Sequence, residues 1–231
     1  MVDLHTHILP GMDDGAADVQ TSLSLLDRQL AQGVDTVALT PHFYRTREHA
    51  SDFLRRRADA MAGLTSATAD RPCPRLILGA EVAWAPGMAD WPELEALCYE
   101  GTKHLLVELP FTPWQDELFR QLYSLEGRRG VTPVLAHVER YAGCQSKKQF
   151  RTLLEMGFPL QVSGYALTYL AGRRLALQLL QYPGSVLISD CHDPNYRPPI
   201  LQKAMAVVEK KLGEDMVNEL NISARELLDE E

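Results

Sequence analysis

The segment VDLHTHILPGMDDG, residues 2–15, runs from a short strand-like stretch directly into a group of histidines and aspartates. We predict that residues 2–5 form the first strand of the fold. His5 and His7 stand two positions apart at the end of this strand, and such side chains point to the same face. Asp14 follows in the next loop. The same arrangement, a strand that ends in an imidazole or a carboxylate, returns along the chain.

Seven strands are predicted as near-continuous apolar runs, which are typical of parallel strands buried on both faces. They are Val2–His5, Thr36–Thr40, Leu76–Ala80, Leu105–Leu109, Val134–His137, Leu160–Ser163 and Val186–Ser189. Helical patterns alternate with them. This alternation predicts an α/β fold, a closed or nearly closed β/α barrel in a single domain. An open doubly wound sheet is the alternative, which periodicity alone does not separate from a barrel.

Several residues mark predicted helix ends. Leu23, Leu26 and Leu30 recur at helical spacing, and Gly33 follows as a stop signal. A second helix is predicted before Gly130. The remaining signals are a capping box at 146–149 with a stop at Gly157, helical patterns at 175–180 and 200–212, and a cap at 223–226 for a last short helix.

Composition excludes several classes of protein. The 231-residue chain has a formal net charge of −8, which argues against a broad basic surface for nucleic acid. It contains no apolar run of the roughly 18 residues that span a bilayer, and its start lacks the pattern of a secretory signal. The four cysteines show no C-x-x-C spacing. We therefore expect a cytoplasmic protein that is not itself a membrane protein.

Six of the seven predicted strands deliver a histidine or a carboxylate to their carboxyl ends, where β/α barrels place active sites. A lone histidine is more often a packing residue, but five of the seven histidines occupy such positions. Four carboxylates that we expect to be buried accompany them, and buried charges are costly unless paired or bound to metal. The predicted metal ligands are His5, His7, Asp14, His42, Glu81, Glu108, His137, Asp190 and His192.

The size of this set predicts more than one ion. One zinc ion takes about four ligands, so nine suit two or three divalent ions that share carboxylates. Imidazole mixed with carboxylate favours manganese, with iron or zinc as alternatives, over calcium or magnesium. Four carboxylates and three such ions would leave the site at about +2, the local positive charge that an acidic protein needs to bind phosphate.

Two arginines follow predicted ligands. Arg140 lies three residues after His137, and Arg197 lies five residues after His192 in a loop with three prolines. A guanidinium group matches two phosphate oxygens, so we predict that both arginines are catalytic residues that grip phosphate. The plain alternative is a surface position or a salt bridge with Glu139.

Cys191 and Arg197 also show the C-x5-R spacing of thiol-based phosphatases. That mechanism needs a loop of backbone N–H donors and a cysteine of depressed pKa. The five intervening residues contain no glycine, and Pro194 removes one donor. Asp190 beside the cysteine disfavours a thiolate. We therefore expect metal chemistry here.

Residues 3–15 resemble the opening motif of the PHP-superfamily bacterial protein-tyrosine phosphatases of the capsule and exopolysaccharide type, which are CpsB/CapC-like. The similarity covers nearly the whole chain, and residues 82–86, 164–167 and 221–222 depart from the pattern without touching a predicted ligand. Later segments are similar in order and spacing, namely Thr40–His42, Gly79–Glu81, Leu106–Glu108, Ala136–Tyr141, Ser189–His192 and Arg197–Pro199.

The resemblance implies a distorted seven-stranded barrel, a PHP-type (β/α)7 domain of residues 1–231. It implies a trinuclear, commonly manganese-dependent site that hydrolyses phosphotyrosine on the tail of a membrane-associated tyrosine kinase controlling polysaccharide export. In similar proteins the first ion would be held by His5, His7, Glu81 and Asp190, the second by Glu81, Glu108 and His137, and the third by Asp14, His42 and His192.

Two other functions stay open. A PHP phosphoesterase for a small molecule such as histidinol phosphate would use the same metal chemistry. Its alcohol leaving group is harder to expel than a phenol of pKa about 10, so it would favour a dedicated general acid. A non-catalytic metal-binding PHP module is the second alternative. Such modules usually lose ligands, and none is missing here.

Overall fold

Short parallel strands form the sheet structure of residues 1–229, the part of the chain that this computed structural model describes. Parallel pairing requires a crossover between successive strands, and helices supply most of these crossovers. In chain order the strands are β1 (Val2–Thr6), β2 (Thr36–Leu39), β3 (His42–Phe43), β4 (Arg75–Leu78), β5 (Glu81–Ala83), β6 (His104–Glu108), β7 (Thr132–Leu135), β8 (Gln161–Ser163) and β9 (Val186–Ile188).

The helices surround these strands. None of them, within residues 1–229, is long and apolar enough to cross a bilayer. Three short 3-10 helices cover Met88–Asp90, Leu94–Leu97 and Val138–Gly143. The α-helices are α1 (Val19–Ala31), α2 (Ala50–Thr68), α3 (Asp116–Arg129), α4 (Lys147–Glu155), α5 (Gly164–Thr168), α6 (Leu170–Leu179), α7 (Leu201–Leu212) and α8 (Glu214–Glu226).

The strands occupy seven positions around a closed, distorted barrel. β1 pairs with β2 and β2 with β4, whereas β3 pairs with β5, β5 with β6 and β6 with β7. β3 and β5 continue β2 and β4 after two-residue breaks, so each of these pairs counts as one barrel strand. β8 pairs with β9, and bridges from Leu135 to Leu160 and from Cys191 to Thr6 close the ring. The prediction of a seven-position barrel is confirmed, and the open sheet is wrong.

An apolar layer fills the barrel and leaves its carboxyl end to polar residues. Val2, Leu106 and Val186 belong to one buried cluster inside the ring of strands. Leu227, which follows α8, belongs to the same cluster, and its carbonyl oxygen lies 3.0 Å from His104 Nδ1 at the start of β6. The end of α8 therefore covers the amino ends of the strands. A functional site is left to the opposite end, as in other β/α barrels.

Most of the predicted helix ends are confirmed. Ser146 caps α4, since its side chain accepts a hydrogen bond of 3.2 Å from Gln149 N, as a capping box requires. Gly130 ends α3 with a φ of 63°, a left-handed conformation that glycine adopts without strain. Gly33 follows α1 in the same way, with a φ of 77°.

Two helical features differ from the sequence expectation. The 19-residue helix α2 was not predicted, although Phe53, Arg57 and Leu64 lie on its buried face at helical spacing. The predicted cap at Ser223 is wrong, because α8 already begins at Glu214 and Ser223 lies inside it. Packing against α7 and the barrel decides the course of this segment, and tertiary packing routinely overrides a local capping preference.

Candidate metal centre

The predicted ligands converge at the carboxyl end of the barrel. Seven of the nine belong to three sets, and within each set one ligand atom per residue lies within 4.8 Å of the others. Each set mixes imidazole nitrogens with carboxylate oxygens, the donors that suit manganese, iron or zinc. The sets are His7, Asp14, His42 and His192; His5, His7 and Glu81; and His42, Glu81 and Glu108.

The other two predicted ligands, His137 and Asp190, lie against the same cluster. His137 Nε2 is 2.8 Å from Glu81 Oε1 and 3.5 Å from Glu108 Oε1, and Asp190 Oδ1 is 3.5 Å from His7 Nε2. Both residues have left-handed backbones, with φ of 31° and 53°. Such conformations are uncommon outside glycine and concentrate at functional sites. Strand ends therefore bend to turn these side chains inward.

Glu81 lies at the centre of the cluster. Its carboxylate oxygens are 2.8–3.4 Å from nitrogens of His5, His7, His42 and His137. Burial raises the pKa of Glu81, but the imidazoles, with His5 the largest contributor, lower it well below the usual range. A carboxylate with two oxygens among four imidazoles would be a central ligand of any metal ion held here.

The pattern of hydrogen bonds fits bound cations. Within residues 1–229, Glu81 Oε2 and His42 Nδ1 are buried without a hydrogen-bond partner, although the two atoms lie 2.9 Å apart. His5 Nε2 and His7 Nε2 face each other at 3.2 Å. Buried polar atoms are normally paired, so imidazole and carboxylate atoms that converge without good hydrogen bonds suit a divalent ion. The residues present therefore fit the metal ions expected from the sequence.

Asp14 corrects one expectation. We expected four buried carboxylates, but the Asp14 side chain is 70% exposed. Its Oδ1 nevertheless lies 3.6 Å from both His42 Nε2 and His192 Nε2. The reason is its place in the loop between β1 and α1, where the neighbouring Asp13 carboxylate turns inward and Asp14 turns to solvent. The set that contains Asp14 therefore lies at the open mouth of the centre.

The two predicted phosphate-binding arginines lie beside the cluster. Both Arg140 and Arg197 donate to Asp190 Oδ2, and about one third of each side chain is exposed. Arg197 Nη1 also lies 3.0 Å from His192 Nε2. Its loop is ordered by Asp193, whose carboxylate accepts hydrogen bonds from three successive backbone N–H groups. Two guanidinium groups thus stand at the mouth of an otherwise acidic cluster.

A family model described as capsular polysaccharide synthesis, CpsB/CapC, matches residues 1–228. This chain belongs to the CpsB/CapC family. The tyrosine-protein phosphatase YwqE of Bacillus subtilis (strain 168) is 30% identical over 242 residues, which cover 99% of this chain and 91% of that protein. The resemblance seen in the sequence motifs is confirmed.

Solved structures agree with this membership. One crystal structure, reported for YwqE of Bacillus subtilis and CpsB of Streptococcus pneumoniae as metal-dependent tyrosine phosphatases, matches with a TM-score of 0.81 at 26% identity. The match covers 99% of this chain and 94% of that chain. A TatD family hydrolase from Entamoeba histolytica, 10% identical, shares the fold with a TM-score of 0.57, over 98% and 97% of the two chains.

Asp13 is a site residue of this CpsB/CapC family member that the sequence pattern did not single out. Its carboxylate lies 2.7 Å from His7 Nδ1 and accepts a 2.8 Å hydrogen bond from His42 N. Such a contact fixes the imidazole with Nε2 toward the cluster. The sequence signal for this tight turn was Gly15, two residues after Asp13. A Cβ atom at position 15 would lie 2.1 Å from His7 O, so only glycine allows the turn.

Gln161 is a second residue that was missed. Its Oε1 lies 2.8 Å from His5 Nδ1, and its Nε2 donates to Tyr99 Oη at 3.0 Å. Tyr99 Oη in turn donates to Leu4 O at 3.0 Å. The signal was its position, since β8 is the predicted strand that supplies no ligand and yet begins with a fully buried glutamine. Gln161 orients His5 as Asp13 orients His7.

Cys191 is not placed to act as a nucleophile. Its side chain is fully buried beneath the cluster, with Sγ 3.7 Å from Gln29 Nε2. Burial first, and the Asp3 carboxylate next, raise the pKa of the thiol far above its usual range. Asp190 disfavours the thiolate as expected, but it contributes less than burial. The thiol-phosphatase alternative is therefore unsupported by the geometry.

Proposed function

We propose that this chain is a metal-dependent protein-tyrosine phosphatase, a single domain of residues 1–231 that acts in capsule or exopolysaccharide synthesis. The observation that carries the proposal is the convergence of nine imidazole and carboxylate side chains with two arginines beside them. Relatives named as tyrosine phosphatases and the family's place in capsular polysaccharide synthesis support it.

The proposed site holds two or three divalent ions, with manganese as the first candidate. When bound, such ions neutralise phosphate charge and lower the pKa of a coordinated water toward neutrality. The contacts of Glu81 with imidazoles on several strands support a shared role for this carboxylate. The proposed ligands are His5, His7, Glu81 and Asp190 for one ion, Glu81, Glu108 and His137 for a second, and Asp14, His42 and His192 for a third.

Arg140 and Arg197 are proposed to hold the phosphate group of the substrate. Both are anchored on the same oxygen of Asp190, so the two guanidinium groups lie next to each other above the cluster. A guanidinium group carries five N–H donors, and its bonds to Asp190 leave donors to face a phosphate. Fixed donors of this kind position the phosphoryl group and stabilise charge that develops on its oxygens.

The mouth of the site suits an aromatic leaving group. Phe111, on the loop after β6, is half-exposed, and its ring stacks near His137 with centroids 6.3 Å apart and an interplanar angle of 17°. Its exposed face offers apolar area to the phenyl ring of phosphotyrosine. A phenol also leaves more easily than an alcohol. These features favour phosphotyrosine over a small alkyl phosphate.

The proposed partner is the phosphotyrosine-containing tail of a membrane-associated tyrosine kinase, and the proposed location is the cytoplasm. Asp14 at the mouth is accessible to solvent, and Tyr196 between His192 and Arg197 is almost fully exposed. A rim as open as this admits a residue carried on an extended polypeptide. The family description links such proteins to capsule synthesis.

A kinetic panel tests the proposal. Purified protein with manganese is given a phosphotyrosine peptide, the same peptide with phosphoserine, and histidinol phosphate. We expect kcat/KM to be highest for phosphotyrosine, by about 10-fold or more. His42→Ala should lose most activity, whereas His49→Ala, which replaces an exposed histidine outside the cluster, should keep it. Faster turnover of histidinol phosphate would indicate a small-molecule phosphoesterase, and metal binding without any turnover would indicate a non-catalytic module.

A further inference from the structure

A cavity of about 530 Å³ opens beside the metal centre, where Asp14 and His42 form part of its wall. Tyr44 and Arg47, on the segment after β3, form another part. The Tyr44 ring centroid lies 5.4 Å from that of His42, and Arg47 Cζ lies 4.1 Å from the Tyr44 centroid. A guanidinium group at this distance is attracted to the face of the ring, so Arg47 is held in place beside the cluster.

The charges that line this cavity leave Arg47 without a counter-charge. Asp13 is hydrogen-bonded to the imidazole of His7, and Asp14 belongs to one of the candidate metal-binding sets. Glu48, which adjoins Arg47 in sequence, pairs with Arg56 at 2.9 Å. Among residues 1–229, no carboxylate forms an ion pair with Arg47. The cavity therefore presents the exposed guanidinium of Arg47, which has no ion-pair partner among residues 1–229, to any group that enters it.

We infer that this cavity, the Arg47 pocket, binds an acidic side chain that lies next to the phosphotyrosine in the substrate, and that Arg47 selects such substrates. The inference rests on the proposed phosphatase function. The two ring contacts place the guanidinium within about 10 Å of the His42 imidazole, a distance that at most about three extended residues span. An aspartate or glutamate within a few positions of the phosphotyrosine can reach it while the phosphate lies at the metal centre.

Binding of matched peptides tests the inference. Two peptides carry the same non-hydrolysable phosphonate analogue of phosphotyrosine, one with flanking glutamates and one with flanking glutamines. Fluorescence anisotropy with the manganese-loaded protein should give a Kd about 3- to 5-fold lower for the glutamate peptide, the scale of an exposed ion pair. Arg47→Gln should bring the two Kd values together, and Arg47→Glu should reverse their order. Metal content should match that of the wild type.

Arg45→Gln is the matched control, because Arg45 lies on the same segment but pairs with Glu93 at 3.9 Å and stacks on Trp91. It should keep the preference for glutamate. A preference that survives Arg47→Gln, or equal Kd values in the wild type, would overturn the inference. Because the measurement is of binding, the two proposals fail separately. A preference for the glutamate peptide without hydrolysis of phosphotyrosine would refute the proposed function but support the Arg47 pocket.

Discussion

Replacing Arg197 by alanine removes one of the two cations at the mouth of the cluster. The side chain is about one third exposed, so an effective dielectric constant above the usual 20 applies. With a dielectric constant of about 40, a guanidinium group at about 4 Å from a unit of phosphate charge contributes about 2 kcal/mol of electrostatic attraction. Apart from this charge term, the lost hydrogen bond adds about 1 kcal/mol. We expect kcat/KM to fall by about 100- to 1000-fold.

The metal centre should survive this substitution. Arg140 also donates to Asp190 Oδ2, so the buried carboxylate keeps a cationic partner when Arg197 is absent. His192 Nε2 loses a guanidinium neighbour at 3.0 Å, which removes repulsion toward a metal ion. Bound metal should therefore stay equal to the wild type or increase. Arg197→Lys keeps the charge without the planar fork and should recover only part of the activity.

Steady-state kinetics on a phosphotyrosine peptide and metal analysis of each purified variant form the assay. Arg128→Ala is the control, since it removes an exposed arginine that pairs with Asp90 and should leave kcat/KM and bound metal unchanged. The role of Arg197 in binding phosphate is refuted by near-normal kcat/KM in the alanine variant. It is equally refuted if activity and bound metal decline together, because Arg197 would then be a support of the metal site.

Three further predictions follow from the geometry of the centre. Chelation of the metal should abolish turnover, whereas Cys191→Ser should keep most of it because the thiol is buried. Loss of activity in the serine variant at normal metal content would contradict a metal-dependent, thiol-independent mechanism. Glu81→Ala should lose more metal than Asp14→Ala, measured by elemental analysis, because Glu81 contacts four imidazoles; equal losses would exclude a shared carboxylate. Gln161→Leu should weaken manganese binding about 10- to 100-fold without unfolding the barrel, because it removes the hydrogen-bond partner that orients His5. Calorimetry measures the affinity, and an unchanged value would exclude a positioning role for Gln161.

The barrel and most of the cluster were predictable because both depend on short-range patterns. Strands buried on two faces are apolar along their length, so their ends are visible where an imidazole or a carboxylate interrupts the run. Side chains two apart on a strand share a face, which brought His5 and His7 together, and the structure has their Nε2 atoms 3.2 Å apart. Family resemblance added the closure of these seven strands into a barrel, which periodicity left open.

The remaining features depend on contacts between distant segments. Two barrel strands are interrupted, one between β2 and β3 and one between β4 and β5. His42 and Glu81 begin the segments that follow these breaks, and a period-2 sequence pattern does not predict such breaks. Left-handed backbones, uncommon outside glycine, are imposed on His137 and Asp190 by their surroundings. The roles of Asp13 and Gln161 arise from partners that only the folded chain brings near.

The charges collected at the mouth connect the stability of this centre with its function. Beyond the four predicted carboxylates, Asp13 adds a fifth to the cluster, whereas Arg140 and Arg197 supply two cations. Carboxylates held this close repel one another and are costly to bury without compensation. Two or three divalent ions would reverse the net sign, so the ions that relieve this repulsion would also give an acidic protein its attraction for a phosphate dianion. In the proposed function, the metal centre together with Arg140 and Arg197 therefore reconciles the acidity of the chain with an anionic substrate.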